Sequence, residues 1–324
     1  MPIHRRTLLR LAAGAPFAGS VVAPGGAGAV PGLSPVGDEA ARNTPLPPGA
    51  ESRFATLNGV RLHYVIAGSG PALVLLHGWP QTWFSWSETL RTFADRFTVI
   101  APDLRGLGLS ERTASGYDKR TVAEDIKALI DHEAGGRAAV VGHDMGGKAA
   151  YVLAHLHPDR VSRLVLVDCL LPGTENADAL QGGAWHYGFH MASDIPELLT
   201  AGRERDYIRA QIRAWSHRKD AVPEASVIEY ARHYAAPGGM TAGFDYYRAL
   251  PRDAALAASF AGRKLAMPVL AVAGRQSVAG RLGSALRSKS THLNEVLVEA
   301  CGHFVAEEAP GPFHQAVRRF LSAS

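Results

Sequence analysis

The sequence is poor in cysteine, with only two such residues among 324. These are Cys169 and Cys301, and so small a number excludes the disulfide framework that holds small secreted domains together. The chain is long enough to rely on a hydrophobic core instead. Cys169 directly follows Asp168 and Cys301 precedes His303 by two residues, so the thiols would be neighbours if those two residues meet. The simpler expectation is two buried free thiols.

A strong excess of one charge is also absent. The chain has 34 Lys and Arg against 30 Asp and Glu, a formal net charge of +4, and part of the excess lies at the N-terminus. No basic cluster is interleaved with aromatic residues, so nucleic acid is not an expected partner. After the N-terminal segment no apolar run approaches the roughly 18 residues that span a bilayer, so no membrane partner is expected once that segment is removed. Spacings typical of metal ligands are missing, and we expect neither a metal nor an organic cofactor.

The N-terminus reads as an export signal over residues 1–29. Arg5-Arg6-Thr7-Leu8-Leu9-Arg10 leads into an apolar stretch over residues 11–22, and Ala27-Gly28-Ala29 has the small residues of a cleavage site. The paired arginines resemble a twin-arginine signal, which predicts a periplasmic or extracellular protein. The alternative is a disordered basic tail. Residues 30–50 are rich in Pro, Gly and Ala and read as a flexible leader.

Strand-like and helix-like segments alternate along most of the remaining chain. Residues 54–57 and 61–65 alternate around Asn58-Gly59, a pattern typical of a hairpin. Six apolar runs predict buried parallel strands, at residues 72–76, 98–101, 138–141, 163–167, 269–273 and 295–298. Helical patterns lie between them at residues 82–94, 121–132, 147–157 and 312–321. The order predicts an α/β doubly wound sheet built from residues 51–171 and 266–324.

One interval breaks the alternation, because residues 172–265 carry helical patterns and no convincing strand. The predicted helices cover residues 177–191, 195–201, 204–215, 223–235 and 240–250. The interval is rich in Trp, Tyr and Phe. We interpret it as an all-helical cap inserted after the sixth strand, which would enclose a dry cavity above the sheet.

The segment Val141-Gly142-His143-Asp144-Met145-Gly146-Gly147 has the pattern of a nucleophile elbow, a tight strand-to-helix turn that lifts one side chain above the sheet. Most elbows carry Ser, and no Gly-x-Ser-x-Gly follows this strand, which argues against a serine esterase. The slot holds Asp144 instead. A carboxylate can attack an epoxide or a carbon–halogen bond and form an ester that water then opens.

A carboxylate nucleophile needs a base to activate water and an acid to orient that base. His303 follows the last predicted strand, where this fold places its late histidine. The loop after strand seven, residues 273–278, contains no carboxylate, whereas the loop after strand six begins at Asp168. We therefore assign Asp168 as the orienting acid. The alternatives are a surface histidine at 303 and a helix cap or ion pair at 168.

Backbone N–H groups should hold the negative charge that forms when water attacks the ester. His77-Gly78-Trp79-Pro80 follows the third strand, where this fold supplies one such donor, and the residue after the nucleophile supplies the other. These residues are Trp79 and Met145. A cis peptide bond at Pro80 would be compatible with a tight turn there. The alternative is an ordinary Gly-Pro loop.

Three motifs make a resemblance specific. They are His77-Gly78-Trp79-Pro80-Gln81-Thr82-Trp83, Pro102-Asp103-Leu104-Arg105-Gly106 and Gly142-His143-Asp144-Met145-Gly146-Gly147. Over residues 54–320 the chain resembles the epoxide hydrolase and haloalkane dehalogenase branch of the α/β-hydrolases. Within it, the sequence around Trp185 and Tyr247 is most similar to secreted bacterial epoxide hydrolases of the Cif-like subgroup. That subgroup has Glu where this chain has Asp168, and a cysteine where it has Ala309, so its local disulfide to the Cys301 position should be missing.

The resemblance implies the remaining site residues. In the subgroup a His and a Tyr of the cap hydrogen-bond the epoxide oxygen, and the matching positions here are His186 and Tyr247. We also expect Trp83, Tyr187 and Lys148 to line the substrate pocket. The alternative for the cap residues is aromatic packing with polar tips.

Three functions remain to be weighed. The resemblance favours hydrolysis of small organic epoxides. Haloalkane dehalogenases carry Trp after the nucleophile, and fluoroacetate dehalogenases carry Arg there and three residues on, where this chain has Met145 and Lys148. A thioether cannot hold a halide or a carboxylate as those donors can, so a dehalogenase is the second candidate. A non-catalytic ligand-binding member would need a broken triad. The sequence leaves a homodimer open.

Overall fold

The computed structural model describes residues 44–176, 178, 180 and 183–322. The eight predicted strands all form, and they pair in one sheet of order β1-β2-β4-β3-β5-β6-β7-β8. Their bounds are β1 Ala50–Leu57, β2 Val60–Ala67, β3 Ala72–Leu76, β4 Thr98–Pro102, β5 Ala138–His143, β6 Val161–Val167, β7 Val269–Gly274 and β8 Leu293–Val298. β2 is antiparallel to β1 and to β4, and every other pairing is parallel. The predicted fold class is confirmed.

The hairpin between β1 and β2 turns at Asn58 and Gly59, which both have positive φ, at 50° and 73°. A two-residue turn of this type needs positive φ at both positions, and Asn and Gly tolerate it. In the parallel strands successive side chains point to opposite faces, as Leu73 and Val74 show by belonging to different core clusters. Both faces are buried, which explains why these strands are continuous apolar runs.

Helices cover both faces of the sheet. They are the 3-10 turn Trp83–Trp86 with α1 Ser87–Phe93, then α2 Lys119–Glu133, α3 Asp144–Leu156, α10 Arg281–Leu286, α11 Val305–Glu308 and α12 Pro310–Ser322. α1 and α12 pack on one face, through Leu90, Phe93, Phe313 and Val317. α2 and α3 pack on the other. The parallel arrangement brings the carboxyl ends of β3, β5, β6 and β8 to one edge, where ligands bind in open α/β sheets.

The interval between β6 and β7 contains helices and no strand among its described residues. These helices are α4 Trp185–Met191, α5 Ile195–Thr200, α6 Glu204–Trp215, α7 Glu224–Ala235, α8 Gly239–Arg248 and α9 Leu250–Ala258. α4 is shorter than expected, and of the residues before it the structure does not describe 177, 179, 181 and 182. α9 was not predicted. It carries Pro251 in its first turn, where the missing N–H has no partner to lose.

The leader is ordered further back than the sequence indicates. Residues 1–43, with the whole of the predicted export signal, lie outside the described residues. Thr44, however, is buried, and its hydroxyl donates to Glu229 of α7 at 2.8 Å and accepts from Arg232 at 2.6 Å. Thr44 is therefore held by α7 and Ala50 begins β1, whereas the flexible leader over the rest of residues 30–50 stays a prediction. The amino-acid composition of this segment does not reveal that the Thr44 hydroxyl contacts the Glu229–Arg232 ion pair.

Both cysteines are buried and free, as expected. Burial raises the pKa of each thiol to about 12. Cys169 packs beneath the first turn of α3, where a Cβ at Gly147 would come within 2.7 Å of its Sγ. Within the described part of the chain, no helix is both long and apolar enough to cross a membrane.

Candidate active site

The predicted elbow forms between β5 and α3. β5 ends at His143, the helix begins at Asp144, and Asp144 has a φ of +47°, in the left-handed region that non-glycine residues rarely adopt. The neighbouring positions must be glycine because there is no room for a Cβ atom. A Cβ on Gly142 would lie 2.5 Å from the Gly146 carbonyl oxygen, and one on Gly146 would lie 2.4 Å from that of His77. The close contacts and the positive φ set the position of the Asp144 side chain.

The turn after β3 passes directly over the Asp144 carboxylate. The Trp79 N–H donates to Asp144 Oδ2 at 3.0 Å, and a Cβ on Gly78 would come within 2.5 Å of the Asp144 Cβ. The peptide bond between Trp79 and Pro80 is cis. Met145 is the second residue of α3, so its N–H belongs to the first helical turn, where N–H groups have no partner within the helix. One carboxylate oxygen is thus held by the turn.

Asp144 is buried, with 9% of its surface exposed. Burial by itself would raise the pKa of this carboxyl. The charges of His303 and Lys148 and the hydrogen bond from Trp79 lower it, so the net pKa lies below the ordinary value. The carboxylate is therefore ionised at neutral pH, as a nucleophile must be.

His303 and Asp168 form the predicted pair. His303 Nδ1 lies 2.8 Å from Asp168 Oδ1. The fully buried Asp168 also accepts from the Ser277 hydroxyl at 2.6 Å and from the Gly274 N–H at 2.8 Å. Burial lowers the pKa of His303, but the bond to Asp168 and the charges of Asp168 and Asp144 raise it above its ordinary value overall. The loop after β7, which has no carboxylate of its own, thus supplies donors to the acid of the preceding loop.

The cap closes over this edge with aromatic rings. The His186 and Tyr247 rings meet edge to face at 5.8 Å between centroids, and Tyr187 packs beside both. Tyr247 also lies 5.8 Å from the Trp79 ring. Burial lowers the pKa of His186 to about 4, and it raises that of Tyr247 well above its ordinary value. Both side chains are therefore neutral donors near pH 7.

Two of the predicted pocket residues, Trp83 and Lys148, are buried and have partners within the protein. Trp83 is 1% exposed and belongs to the core cluster of α1 and α12, with ring contacts to His63 and Phe84. Lys148 is fully buried, and its ammonium group donates to the Leu170 carbonyl at 2.6 Å and to Glu175 at 2.5 Å. The assignment of both residues to the substrate pocket stays a prediction. Lys148 acts on the site through its charge.

Other residues at the site were not predicted. Gln81 and His143 lie behind the triad, where the His143 and His303 rings are 4.5 Å apart. Glu308 accepts from the N–H groups of Gly302 and Phe304, on either side of His303, and from His217 of the cap. In the sequence, only the positions of Gln81 and His143 within the quoted motifs indicated that these residues lie near the site. In the described part of the chain no group of three or more His, Cys, Asp or Glu could hold a metal ion.

The comparisons with known proteins agree with this fold. Residues 71–310 match the alpha/beta hydrolase fold family. A soluble epoxide hydrolase from Corynebacterium sp. (strain C12) is 38% identical over 79% of this chain and 92% of its own length. The solved epoxide hydrolase CorEH is 35% identical over 84% of this chain and 99% of its own, with a TM-score of 0.79.

Two further relatives bear on the choice between activities. The Cif epoxide hydrolase from Acinetobacter nosocomialis is 26% identical, covers 86% of this chain and 90% of its own, and has a TM-score of 0.79. A fluoroacetate dehalogenase from Burkholderia sp. is 28% identical over 85% of this chain and 94% of its own length. The chain belongs to the epoxide hydrolase branch of the α/β-hydrolase family.

Proposed function

We propose that this protein hydrolyses small organic epoxides to vicinal diols through a covalent ester on Asp144. The observation that carries the proposal is the carboxylate at the elbow, with Oδ2 bonded to the Trp79 N–H. His303 and its acid Asp168 lie within reach of the same edge of the sheet. Epoxide hydrolase relatives with the same fold support this reading.

In the first step Asp144 Oδ1 attacks the less hindered epoxide carbon. A bond forms between this oxygen and the carbon, and the ring C–O bond breaks with its electron pair moving to the epoxide oxygen. An alkoxide is a poor leaving group unless a donor supports it. The neutral side chains of His186 and Tyr247, whose rings lie 5.8 Å apart, would donate hydrogen bonds to that oxygen as the charge develops, and the Tyr247 hydroxyl would give it its proton.

In the second step water opens the ester. His303 removes a proton from the water as it attacks the ester carbonyl carbon, and Asp168 stabilises the imidazolium that forms. The negative charge develops on the former Oδ2, where the N–H groups of Trp79 and Met145 hold it. Collapse expels the diol oxygen, which takes the proton from His303. The second proton of the water leaves the new Asp144 carboxyl group and replaces the one that Tyr247 gave to the epoxide oxygen in the first step, so the Asp144 carboxylate is regenerated and the diol carries two hydroxyl groups.

Tyr247→Phe should lower kcat/KM by roughly 10²-fold, since one of two donors to the leaving oxygen is lost. The substitution leaves the ring, and hence the packing on Trp79, intact. Epoxide turnover with styrene oxide measures the effect. Tyr246→Phe is the matched control, because the Tyr246 hydroxyl donates instead to the Arg105 carbonyl at 3.0 Å. Equal losses in both variants would contradict the assignment of Tyr247.

Dehalogenation is the second candidate, since the fluoroacetate dehalogenase relative shares the fold. The pairing of Lys148 argues against a haloacid substrate. Its ammonium charge is already matched by Glu175, so a substrate carboxylate would compete for an occupied cation. Met145 offers no side-chain donor for a halide. Epoxide opening needs neither group.

A panel of small epoxides and halogenated acids tests the proposal directly. Diol formation from styrene oxide, without release of fluoride or chloride from the acids, is the expected result. Halide release with untouched epoxides would favour the dehalogenase. Unchanged substrates in both assays would indicate a ligand-binding role.

We also propose that the protein is exported by the twin-arginine route and acts outside the cytoplasm. The support is the pattern of Arg5-Arg6 and the small residues before Val30. The N-terminal residue of protein recovered from the periplasm or the medium tests this. Retention of the full chain in the cytoplasm would argue against it.

A further inference from the structure

A chain of polar contacts runs from the cap to the backbone of the catalytic histidine. The Tyr230 hydroxyl of α7 donates to Glu307 Oε1 at 2.7 Å, and the amide atom of Gln81 placed as Nε2 lies 2.5 Å from Glu307 Oε2. The other amide atom of Gln81 lies 2.9 Å from His143 Nδ1. His143 Nε2 lies 2.9 Å from the His303 carbonyl oxygen. Gln81 belongs to the turn that carries Trp79, so these polar contacts join the turn after β3 to the loop that carries His303.

The bond between His143 and the His303 carbonyl fixes which atoms of this network carry hydrogens. A backbone carbonyl only accepts, so His143 Nε2 must carry the hydrogen of that bond. His143 is buried, and burial with the charge of His303 lowers the pKa of its ring to about 3. The ring is therefore neutral, with no hydrogen on Nδ1. Nδ1 must accept a hydrogen bond.

Gln81 must then present its NH2 group to His143 and its oxygen to Glu307. The two ends of an amide have nearly the same shape, so a half-turn of the group exchanges them without moving its neighbours. An amide oxygen can bond to Glu307 only if the facing carboxyl oxygen carries a proton. The 2.5 Å separation is below the usual range for an N–H donor and lies at the short end of the range for an O–H donor.

The surroundings of Glu307 favour that proton. Burial raises the pKa of Glu307 to about 7, and the charge of Glu308 adds to the rise, while the hydrogen bond from Tyr230 opposes it. A bond from the Gln81 NH2 group opposes it as well when the amide has the other orientation. The titratable groups that face it are Tyr230 from the cap, Glu308 on its own helix and, beyond Gln81, His143. Tyr230 and His143 are uncharged near neutral pH, because burial raises the pKa of the first and lowers that of the second.

We propose that Glu307, in its protonated form, is a positioning residue for the reaction described above. Its O–H holds the Gln81 oxygen, the Gln81 NH2 group holds His143 in the Nε2–H tautomer, and His143 holds the backbone of His303. When Glu307 ionises, the carboxylate takes the NH2 group of Gln81. The amide oxygen then faces the lone pair of His143 Nδ1, and the link to His303 is lost.

Glu307→Gln distinguishes this role from that of an ordinary buried carboxylate. A glutamine can donate from its NH2 group to the Gln81 oxygen and accept from Tyr230, which reproduces the protonated arrangement. The variant should keep wild-type kcat near pH 7. Wild-type kcat should fall several-fold as the pH rises well above 7, whereas the variant should hold its value. A loss of activity near pH 7, or the same alkaline fall in both proteins, would overturn the proposal.

Two controls and a second readout complete the test. Glu299→Gln, at a side chain that is 68% exposed, should leave the pH profile unchanged. Glu308→Gln should lower kcat, because its carboxylate accepts three N–H groups and an NH2 group cannot accept. The ¹⁵N shifts of the His143 ring report the tautomer without any substrate. If the protein hydrolyses epoxides but His143 is the Nδ1–H tautomer near pH 7, the proposal for Glu307 is overturned. If His143 is the Nε2–H tautomer but epoxides are not hydrolysed, the proposed function fails and the polar network stands.

Discussion

Asp144→Ser should abolish epoxide turnover, with a loss of about 10⁴-fold or more, because the atom that bonds to the substrate is gone. Serine fits the elbow at the same positive φ, so the expected loss is chemical rather than structural. A hydroxyl could replace the carboxylate only as a nucleophile for acyl carbon, and the proposed substrate has none. The rate of diol formation and the melting temperature should be measured together.

The matched control is Asp159→Ser. Asp159 lies after the end of α3, its side chain is 67% exposed, and it pairs with Arg160 at the surface. Its replacement should leave the rate of diol formation unchanged. Wild-type turnover in the Asp144 variant, with the fold intact, would mean that another group attacks the substrate.

His303→Gln should stop the reaction halfway. Ester formation needs Asp144 and the cap donors, whereas ester hydrolysis needs the base, so the covalent adduct should accumulate. Intact-protein mass spectrometry should then show an increase equal to the mass of the added epoxide, on one site per chain. The same adduct should be absent or transient in the wild-type protein.

Two variants locate the adduct and exclude general effects. The double variant Asp144→Ser with His303→Gln should show no mass increase. His132→Gln removes a side chain that is 49% exposed at the end of α2, and it should turn over normally. A His303→Gln protein that hydrolyses epoxide at the wild-type rate would show that His303 is not the base.

The sheet was predictable because its strands are buried on both faces. A short, continuous apolar run between turn residues is typical of a parallel strand, and every such run became a strand. The ends of helices were less predictable. Pro251 is compatible with the end of a helix, yet α9 begins one residue before it. The buried side chains of Leu250 and Asp253, which hold this second helix in place, cannot be recognised from the sequence.

The reactive residues were predictable because the fold fixes where they occur. Asp144 follows β5, Asp168 follows β6 and His303 follows β8, so strand order alone places them at one edge. For Trp83 and Lys148 a motif gives the position along the chain but not the partner, so their place in the substrate pocket stays a prediction. The carboxylate of Glu175 decides where Lys148 points, and the tertiary contact lies outside every motif.

The polar chain through Glu307 was beyond sequence reasoning for the same cause. Glu307 and Glu308 are adjacent and identical in type, yet one receives Tyr230 and Gln81 and the other receives three backbone N–H groups. The directions of the Glu307 and Glu308 side chains depend on the short helix α11 and on contacts with the cap, which is distant in sequence. Only the folded arrangement separates the two roles.

The two thiols make this chain convenient for spectroscopy. Since the pKa values of Cys169 and Cys301 are near 12 and both side chains are shielded from solvent, they offer almost no thiolate to maleimide reagents at neutral pH. A cysteine introduced on an exposed position of the cap, such as Leu198, would be the preferred site of labelling. Fluorophores or spin labels could therefore follow cap opening in an otherwise native background.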